Sequence, residues 1–151
     1  MGNNRDLIAL ACDVAAAAHA GQVDKVGASY IEHPARVAAN VRLLFPHAPD
    51  AAVAVAWLHD VVEDTEIGFS DLRALGFSLD VMEGVDAMTK RNGERMEDYF
   101  ARVRANPLAR MVKAADLLDN TDPVRVARLD PATADRLRFK YARAAELLAR
   151  L

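Results

Sequence analysis

The run from Ala51 to Leu58 is apolar at every position, and it constrains the fold more than any other segment of the chain. A helix that is apolar on all faces must be surrounded by other elements, because a surface helix keeps a polar side. Directly after it comes His59-Asp60-Val61-Val62-Glu63-Asp64, which we expect on one turn of helix. Four ionisable side chains at the end of a buried helix are costly to desolvate unless they are paired or bind a metal. A cation is their simplest partner.

Length and composition fit one globular domain over residues 1–151. A chain of 151 residues can bury most of its apolar surface without disulfides, and 52% apolar with 27% charged residues is ordinary for a folded protein. The lone Cys12 cannot form an internal disulfide, which favours a reducing, cytoplasmic location. No stretch is long and apolar enough to predict a membrane span.

Helical spacing and helix boundary signals recur along the chain, whereas sustained alternation of period two is absent. We expect a first helix over residues 6–20, ended by Gly21, and a second from Pro34 to about Leu44. Asp50 is the expected N-cap of the buried helix, Ser70 and Ser78 are expected to start two more, and two others should cover about 95–105 and 107–120. The last helix should start at Asp130-Pro131 and carry an apolar stripe of Leu137, Tyr141, Ala144, Leu148 and Leu151. We expect residues 22–33 to form a loop. The fold class predicted is therefore all-α, a single-domain helical bundle with a central buried helix.

Charge is distributed unevenly. Residues 1–90 carry 6 basic and 13 acidic side chains, while residues 91–151 carry 13 basic and 9 acidic ones. The basic half could attract nucleic acid, but its arginines are interspersed with acids and no basic run alternates with aromatic residues. We therefore expect most of these basic residues to lie on solvated helix faces, with a few binding a small phosphorylated ligand, and we predict neither a nucleic-acid nor a membrane partner.

Further metal ligands are needed, because His59 and Asp60 alone would bind a divalent ion weakly. His33 closes the first loop just before a helix, and Asp116 lies on an otherwise apolar helix between Lys113 and Asn120. Two imidazoles and two carboxylates suit Mn²⁺ or Fe²⁺ with open water positions better than a closed tetrahedral Zn²⁺ site.

Each of these residues also has a simpler interpretation. A His-Asp pair occurs by chance in many proteins, Asp116 could merely pair with Lys113, and Tyr141 could simply pack in the core. His19 is more typical of a residue at a helix C-terminus than of a ligand, and His47 lies in a loop flanked by prolines, where we expect it to be exposed.

Several motifs in order strengthen the functional interpretation. They are Ala18-His19-Ala20-Gly21-Gln22 through Lys25, Tyr30-Ile31-Glu32-His33-Pro34, Leu58 to Thr65, Thr89-Lys90, Val112 to Asp116 with Asn120, and Lys140-Tyr141. Together they resemble the hydrolase domain of RelA/SpoT-type alarmone enzymes. The short chain is similar to the stand-alone small alarmone hydrolases of the HD superfamily.

This resemblance implies an all-helical HD fold over residues 1–151, one Mn²⁺ ion, and hydrolysis of the 3′-diphosphate of (p)ppGpp. It implies metal ligation by His33, His59, Asp60 and Asp116. It also implies that Glu63 and Asp64 are the catalytic carboxylates, which orient and deprotonate the attacking water and manage protons at the leaving oxygen. Substrate contacts would come from Lys25, Asn120 and Tyr141.

Three acidic residues depart from the family pattern. Asp24 and Asp122 stand where the family usually has basic residues, and Asp119 replaces a usual aromatic residue or histidine. A highly charged alarmone disfavours this exchange unless Arg91, Arg125 or Arg128 compensates. An adenosine alarmone or the 2′-phosphate of NADPH is therefore an alternative substrate for the same centre.

Other functional classes are a nucleotide-sensing HD module without turnover and a helical nucleic-acid-binding protein. Loss of Glu63 or Asp64 would have indicated the sensing module, and both residues are present. The acidic net charge of −3 disfavours the nucleic-acid binder.

Overall fold

The computed structural model describes the backbone of residues 4–151 and the side chains from Leu7 onward. Over this range the chain forms ten helices and no β-strand apart from one isolated bridge between Val23 and Ser29, which confirms the all-α prediction. None of these helices combines the length and apolarity that a membrane span requires. The helices are α1 (Asn4–Ala18), α2 (Glu32–Leu44), α3 (Asp50–Leu58), α4 (Val61–Asp64), α5 (Phe69–Ala74), α6 (Leu79–Met88), α7 (Met96–Ala105), α8 (Pro107–Asn120), α9 (Pro123–Val126) and α10 (Pro131–Ala149).

Helix α3 lies at the centre of the bundle, as its apolar sequence predicts. It packs against α1, α2, α6 and α8, and residues 52–56 and Leu58 are buried. Its side chains are mostly alanine and valine, so neighbouring helices approach closely on several sides. This packing fixes the position at which α3 ends and His59 begins.

Several helix boundaries agree with the sequence prediction. Asn106 accepts a hydrogen bond from the Ala109 amide, and Pro107 opens α8, which ends at Asn120 as expected. Ser78 and Asp130 are the N-caps of α6 and α10, because their side-chain oxygens accept backbone N–H groups of the first turn.

Other boundaries were predicted wrongly. Helix α2 begins at Glu32 rather than Pro34, so His33 lies in a helical turn and not in the loop. Asp50 is the first residue of α3 after the N-cap Pro49, and Gly68 rather than Ser70 precedes α5, where Asp71 accepts the Gly68 amide. The one-turn helix α9 was missed, since four residues show no periodicity, and the helical turn expected from His59 begins only at Val61 as α4.

The apolar stripe of α10 also shifts near its end. Leu137 and Ala144 are buried as predicted, but Leu147 is buried in place of Leu151, which lies beyond the helix and is exposed. Leu151 is exposed because α10 ends at Ala149, and Leu147 is buried because a helix turns every 3.6 residues, so its contact face drifts relative to a 4-3-4-3 spacing.

Gly84 of α6 allows a close approach to the central helix α3. A Cβ atom at this position would lie 2.7 Å from Cγ2 of Val55, whose side chain is fully buried. Valine is branched at Cβ and restricted at χ1, so it cannot move aside easily.

We therefore expect Gly84→Ala to destabilise the fold, although alanine is the better helix former by about 1 kcal/mol. Overpacking costs roughly 1–3 kcal/mol, which outweighs this gain. Chemical denaturation of Gly84→Ala, Val55→Ala and the double variant tests the contact. The double variant should be more stable than the sum of the single effects predicts, and a Gly84→Ala protein that is more stable than wild type contradicts the packing argument.

A bidentate ion pair orders the segment between α6 and α7. Arg102 donates to both oxygens of Glu94, at 2.7 Å from Nε and 2.8 Å from Nη2, and it also donates to the carbonyls of Asp86 and Thr89. The hydrogen bonds from Arg102 lower the pKa of Glu94 from 4.5 to about 2.

This shift predicts a pH dependence of stability. Because the folded pKa is depressed, the pair stabilises the fold above pH 4.5, and its contribution is lost as the pH falls toward 2. The difference in unfolding free energy between metal-free wild type and Glu94→Gln should therefore shrink over this interval. A difference that stays constant down to pH 2 contradicts the assignment.

Candidate metal centre

Four polar atoms from three separate segments converge in the interior. The Nε2 atom of His33 lies 3.0 Å from Oδ1 of Asp116 and 3.8 Å from Oδ2 of Asp60. The Nε2 atom of His59 lies 3.1 Å from Oδ2 of Asp60 and 3.6 Å from Oδ1 of Asp116. The structure therefore brings together the four side chains predicted as metal ligands.

His59 follows the last residue of α3, and its ring is held in one orientation. Nδ1–H donates to the carbonyl of Ala56 at 2.6 Å, which leaves Nε2 with a lone pair. Nε2 is buried, and although Oδ2 of Asp60 lies 3.1 Å away, Nε2 makes no hydrogen bond. A buried acceptor aimed at two carboxylates is explained by a cation between them, so the residues present fit a divalent ion.

His33 lies in the first turn of α2. Its Nδ1–H donates to Oδ2 of Asp119 at 2.6 Å, and this bond directs Nε2 toward the other three ligands. Both histidines thus offer Nε2 inward and donate from Nδ1 to a fixed acceptor.

Asp60 lies in a turn between α3 and α4. The prediction that His59 to Asp64 form one turn of helix is therefore wrong: α3 ends at Leu58, and α4 begins at Val61. This break directs Asp60 back toward His33, where it also accepts a hydrogen bond from the Tyr30 hydroxyl at 2.5 Å. Burial opposes ionisation of Asp60, but the neighbouring His59 lowers its pKa below the usual range.

Asp116 lies on α8 and is 5% exposed. Its Oδ2 accepts a hydrogen bond from Lys113 at 3.0 Å, while Asn120 donates to Oδ1 at 3.2 Å. Burial opposes its ionisation, but Lys113 and both histidines keep the pKa of Asp116 well below the usual range. The pairing with Lys113 that was considered as an alternative does form, and it leaves Oδ1 facing the histidines.

Glu63 and Asp64 lie on α4 beside this cluster. Carboxylate oxygens of Asp60, Glu63 and Asp64 lie within 4.8 Å of one another. Glu63 accepts a hydrogen bond from the backbone amide of Lys90 at 2.9 Å. Desolvation and the charges of Asp60 and Glu63 raise the pKa of Asp64, so this carboxyl holds a proton more readily than an isolated one.

One cavity of about 680 Å³ contains all of the predicted site residues. Lys25, Asn120 and Tyr141, which were predicted to contact substrate, line it together with the four ligand candidates and both α4 carboxylates. Lys90 and Lys140 line the same cavity. The assigned roles stay predictions, but the geometry required for them is present.

Asp24, Asp119 and Asp122, the acidic residues that depart from the family pattern, do not all face the cavity as unpaired charges. Asp24 accepts the amides of Val26 and Ala28 in its own loop, and its other oxygen lies 3.8 Å from Arg125. Arg125 also donates to Asp119 at 3.0 Å. Of the three arginines named as possible compensation, Arg125 therefore neutralises two of the acidic residues.

Asp122 has a local role in the backbone. It is the N-cap of α9, where its side chain accepts the Val124 amide at 2.8 Å. This hydrogen bond accounts for an acidic residue at that position without reference to substrate.

Two contributors were not assigned a role from sequence. Tyr30 lies in a quoted motif, yet its hydrogen bond to Asp60 spans 30 residues and has no local signal. Arg36, which donates to Asp119 at 2.7 Å, lies 83 positions before it in the chain, so no local pattern indicates this contact.

The two remaining histidines stay outside the ligand set. His47 is exposed, as predicted. His19 follows α1, is buried, and shares a hydrogen bond between Nδ1 and Oε1 of Gln22 at 2.9 Å.

Comparison with known proteins identifies the fold and its relatives. The HD domain family matches residues 30–121, a range that includes every ligand candidate. A metazoan SpoT ortholog, described as hydrolysing ppGpp and acting in starvation responses, has a similar structure with a TM-score of 0.79. The two chains are 24% identical, and the alignment covers 95% of this chain and 85% of the other, which establishes the shared fold.

Sequence relatives are much longer proteins. A probable guanosine-3′,5′-bis(diphosphate) 3′-pyrophosphohydrolase of Synechocystis is 35% identical over 112 residues, covering 68% of this chain and 14% of that protein. A protein of the same activity name from Haemophilus influenzae is 40% identical over 77 residues, covering 51% and 11%. A GTP pyrophosphokinase of Streptomyces coelicolor is 34% identical over 117 residues, covering 71% and 13%. The chain thus spans between 11% and 14% of the length of these relatives.

The convergence of four ligand candidates predicts binding of one divalent ion. Asp60→Asn removes a charged ligand while keeping the shape of the side chain. We expect it to weaken Mn²⁺ binding by more than the ~10–100-fold typical of residues outside the ligand shell. Calorimetric titration of metal-free protein measures this, with Asp98→Asn as a control for an exposed carboxylate that pairs with Arg95. Equal Mn²⁺ affinity of wild type and Asp60→Asn contradicts the ligand assignment.

Proposed function

The chain belongs to the HD domain family, and from this we propose that it is a metal-dependent phosphohydrolase that removes the 3′-diphosphate of (p)ppGpp or a closely related alarmone. The observation that carries the proposal is the convergence of His33, His59, Asp60 and Asp116 beside two further carboxylates in one cavity. The activity names of the sequence relatives support the substrate class.

Those four residues would hold one divalent ion. Two imidazoles and two carboxylates suit Mn²⁺, with Fe²⁺ or another divalent ion as alternatives. When bound, such an ion lowers the pKa of water and neutralises phosphoryl oxygens. His33 and His59 would each bind the ion through the lone pair of a neutral Nε2. The two aspartates would contribute the negative charge that attracts the ion into a buried position.

Glu63 and Asp64 handle the protons of the reaction. Water attacks the phosphorus bonded to the 3′ oxygen, and the bond between this phosphorus and the 3′ oxygen breaks. Pyrophosphate is released as the 3′ oxygen gains a proton. Glu63, fixed by the Lys90 amide, orients the attacking water and accepts its proton. The raised pKa of Asp64 suits it to deliver a proton to the leaving oxygen.

The cations of the cavity suit a polyanionic substrate. Lys25, Lys90 and Lys140 line it, and none of them has a carboxylate of the described side chains within 4.0 Å. Desolvation and repulsion from Lys90 and Lys25 lower the pKa of Lys140, as expected where positive charges lie close together without a counter-ion. Bound phosphates would relieve this repulsion.

The remaining predicted contacts complete the substrate site. Lys25 would meet phosphate or base from its loop, Asn120 would contact the nucleotide beside the ion, and Tyr141 would pack against the ribose or base. Because Asp24 is already paired with Arg125, it repels phosphate less than a free carboxylate would. This removes the charge argument against a guanosine alarmone, and the activity names of the relatives then favour it over the adenosine and NADPH alternatives.

We further propose that residues 1–151 act as one domain in the cytoplasm. Helices α1 and α10 lie outside the matched range of residues 30–121. Helix α1 packs against α3 and α10 packs against α8, and they contribute buried residues such as Ala15 and Leu147. The partner is a small nucleotide rather than nucleic acid or a membrane.

The decisive experiment loads the metal-free protein with Mn²⁺ and supplies ppGpp, pppGpp, an adenosine alarmone and NADPH separately. Pyrophosphate and inorganic phosphate are assayed independently. Release of pyrophosphate from ppGpp, with kcat/KM highest for the guanosine alarmones, is the expected result. Phosphate release from NADPH alone would support the 2′-phosphatase alternative, and Mn²⁺ binding without turnover of any substrate would support the sensing module.

Glu63→Gln should keep the ion and the fold but lose catalysis. Positioned acid–base groups typically contribute ~10²–10⁴-fold, so we expect kcat to fall by this order while the Mn²⁺ affinity stays near wild type. Glu66→Gln is the matched control, since Glu66 is exposed and lies outside the cavity lining. A wild-type rate for Glu63→Gln together with an inactive Asp64→Asn would assign both proton roles to Asp64.

A further inference from the structure

Asp119 is the most completely buried carboxylate next to the ligand candidates, with a side chain 3% exposed. Its Oδ2 accepts Nδ1–H of His33 at 2.6 Å and a guanidinium N–H of Arg125 at 3.0 Å. Its Oδ1 accepts Nε–H of Arg36 at 2.7 Å. Each oxygen therefore has at least one fixed donor, and the carboxylate has little freedom to turn.

The bond to His33 is the one that bears on the ion. A ring whose Nδ1–H is bound to a carboxylate keeps its lone pair on Nε2, and the negative charge makes that nitrogen a stronger donor to a metal. His33 Nε2 is the atom that lies 3.0 Å from Asp116. His59, by contrast, donates to the neutral carbonyl of Ala56, so the two histidines are supported unequally.

We propose that Asp119 is a positioning residue of the metal centre: it holds the His33 ring with Nε2 directed at Asp60 and Asp116, and its charge strengthens binding of the ion. The inference rests on the proposed metal site and deepens it. Arg36 and Arg125 hold Asp119 in place. Their positive charges also offset part of the negative charge of Asp119, so they weaken the attraction between Asp119 and the ion.

This opposition gives the experiment its two arms, each measured as Mn²⁺ affinity of the metal-free protein. Asp119→Asn keeps an acceptor for His33 but removes the charge and leaves two guanidinium groups facing a neutral side chain. We expect Mn²⁺ binding to weaken by ~10–100-fold. Arg36→Gln removes a cation that withdraws charge from Asp119 and keeps the contacts of this carboxylate with His33 and Arg125, so the Mn²⁺ affinity should increase.

Glu94→Gln is the matched control. Glu94 also accepts two hydrogen bonds from an arginine and is 11% exposed, but it lies outside the cavity lining. The Glu94→Gln substitution should lower the melting temperature of the metal-free protein and leave its Mn²⁺ affinity unchanged.

The outcomes separate this inference from the proposed metal site. Unchanged Mn²⁺ affinity in Asp119→Asn, with normal binding by wild type, overturns the inference alone. Equal weakening in all three variants also overturns it, since the effect would then follow stability. If Asp119→Asn fails to fold, Arg36→Gln decides: tighter Mn²⁺ binding supports the inference, and unchanged or weaker binding contradicts it. Absence of Mn²⁺ binding by wild type overturns the metal centre together with this inference.

Discussion

Two imidazoles and two carboxylates face one another in the interior, where His33, His59 and Asp116 are buried and the side chain of Asp60 is 19% exposed. Such groups are tolerated only where the charges balance and the remaining polar atoms have partners. Helix α3 creates this requirement, because its buried end delivers His59 to the centre of the bundle. The turn at Asp60 and the opposing helices α2 and α8 then supply the groups that satisfy it.

A second layer of hydrogen bonds fixes the direction of each inward atom. The Ala56 carbonyl orients His59, the Tyr30 hydroxyl reaches Asp60, and Lys113 with Asn120 holds Asp116. These partners come from elements that are already packed for other reasons, so the site needs little reorganisation to receive a ligand. Glu63 is supported differently, by the loop after α6, and this links its orientation to the conformation of the segment that Arg102 orders.

Sequence patterns predicted what depends on periodicity and on local boundary signals. The central helix, the limits of α8 and the caps at Ser78 and Asp130 follow from residues that act within one or two turns. The motifs also led to the residues that share the cavity. What the sequence could not provide were contacts between distant segments. The break after Leu58 was missed because apolar residues resume at Val61, and the partners of Asp119 were missed because they lie on α2 and α9.

Arg125 connects the loop that carries Asp24 to the carboxylate that supports His33. A substitution at one of these three positions leaves an uncompensated charge at another, so a lineage in which position 24 becomes basic is expected to change position 125 as well. Coordinated exchange of this kind would keep the metal centre intact while the charge of the cavity lining changes. Ligand preference among relatives with these residues would thus diverge through joint changes at positions 24, 119 and 125 rather than through changes in the catalytic groups.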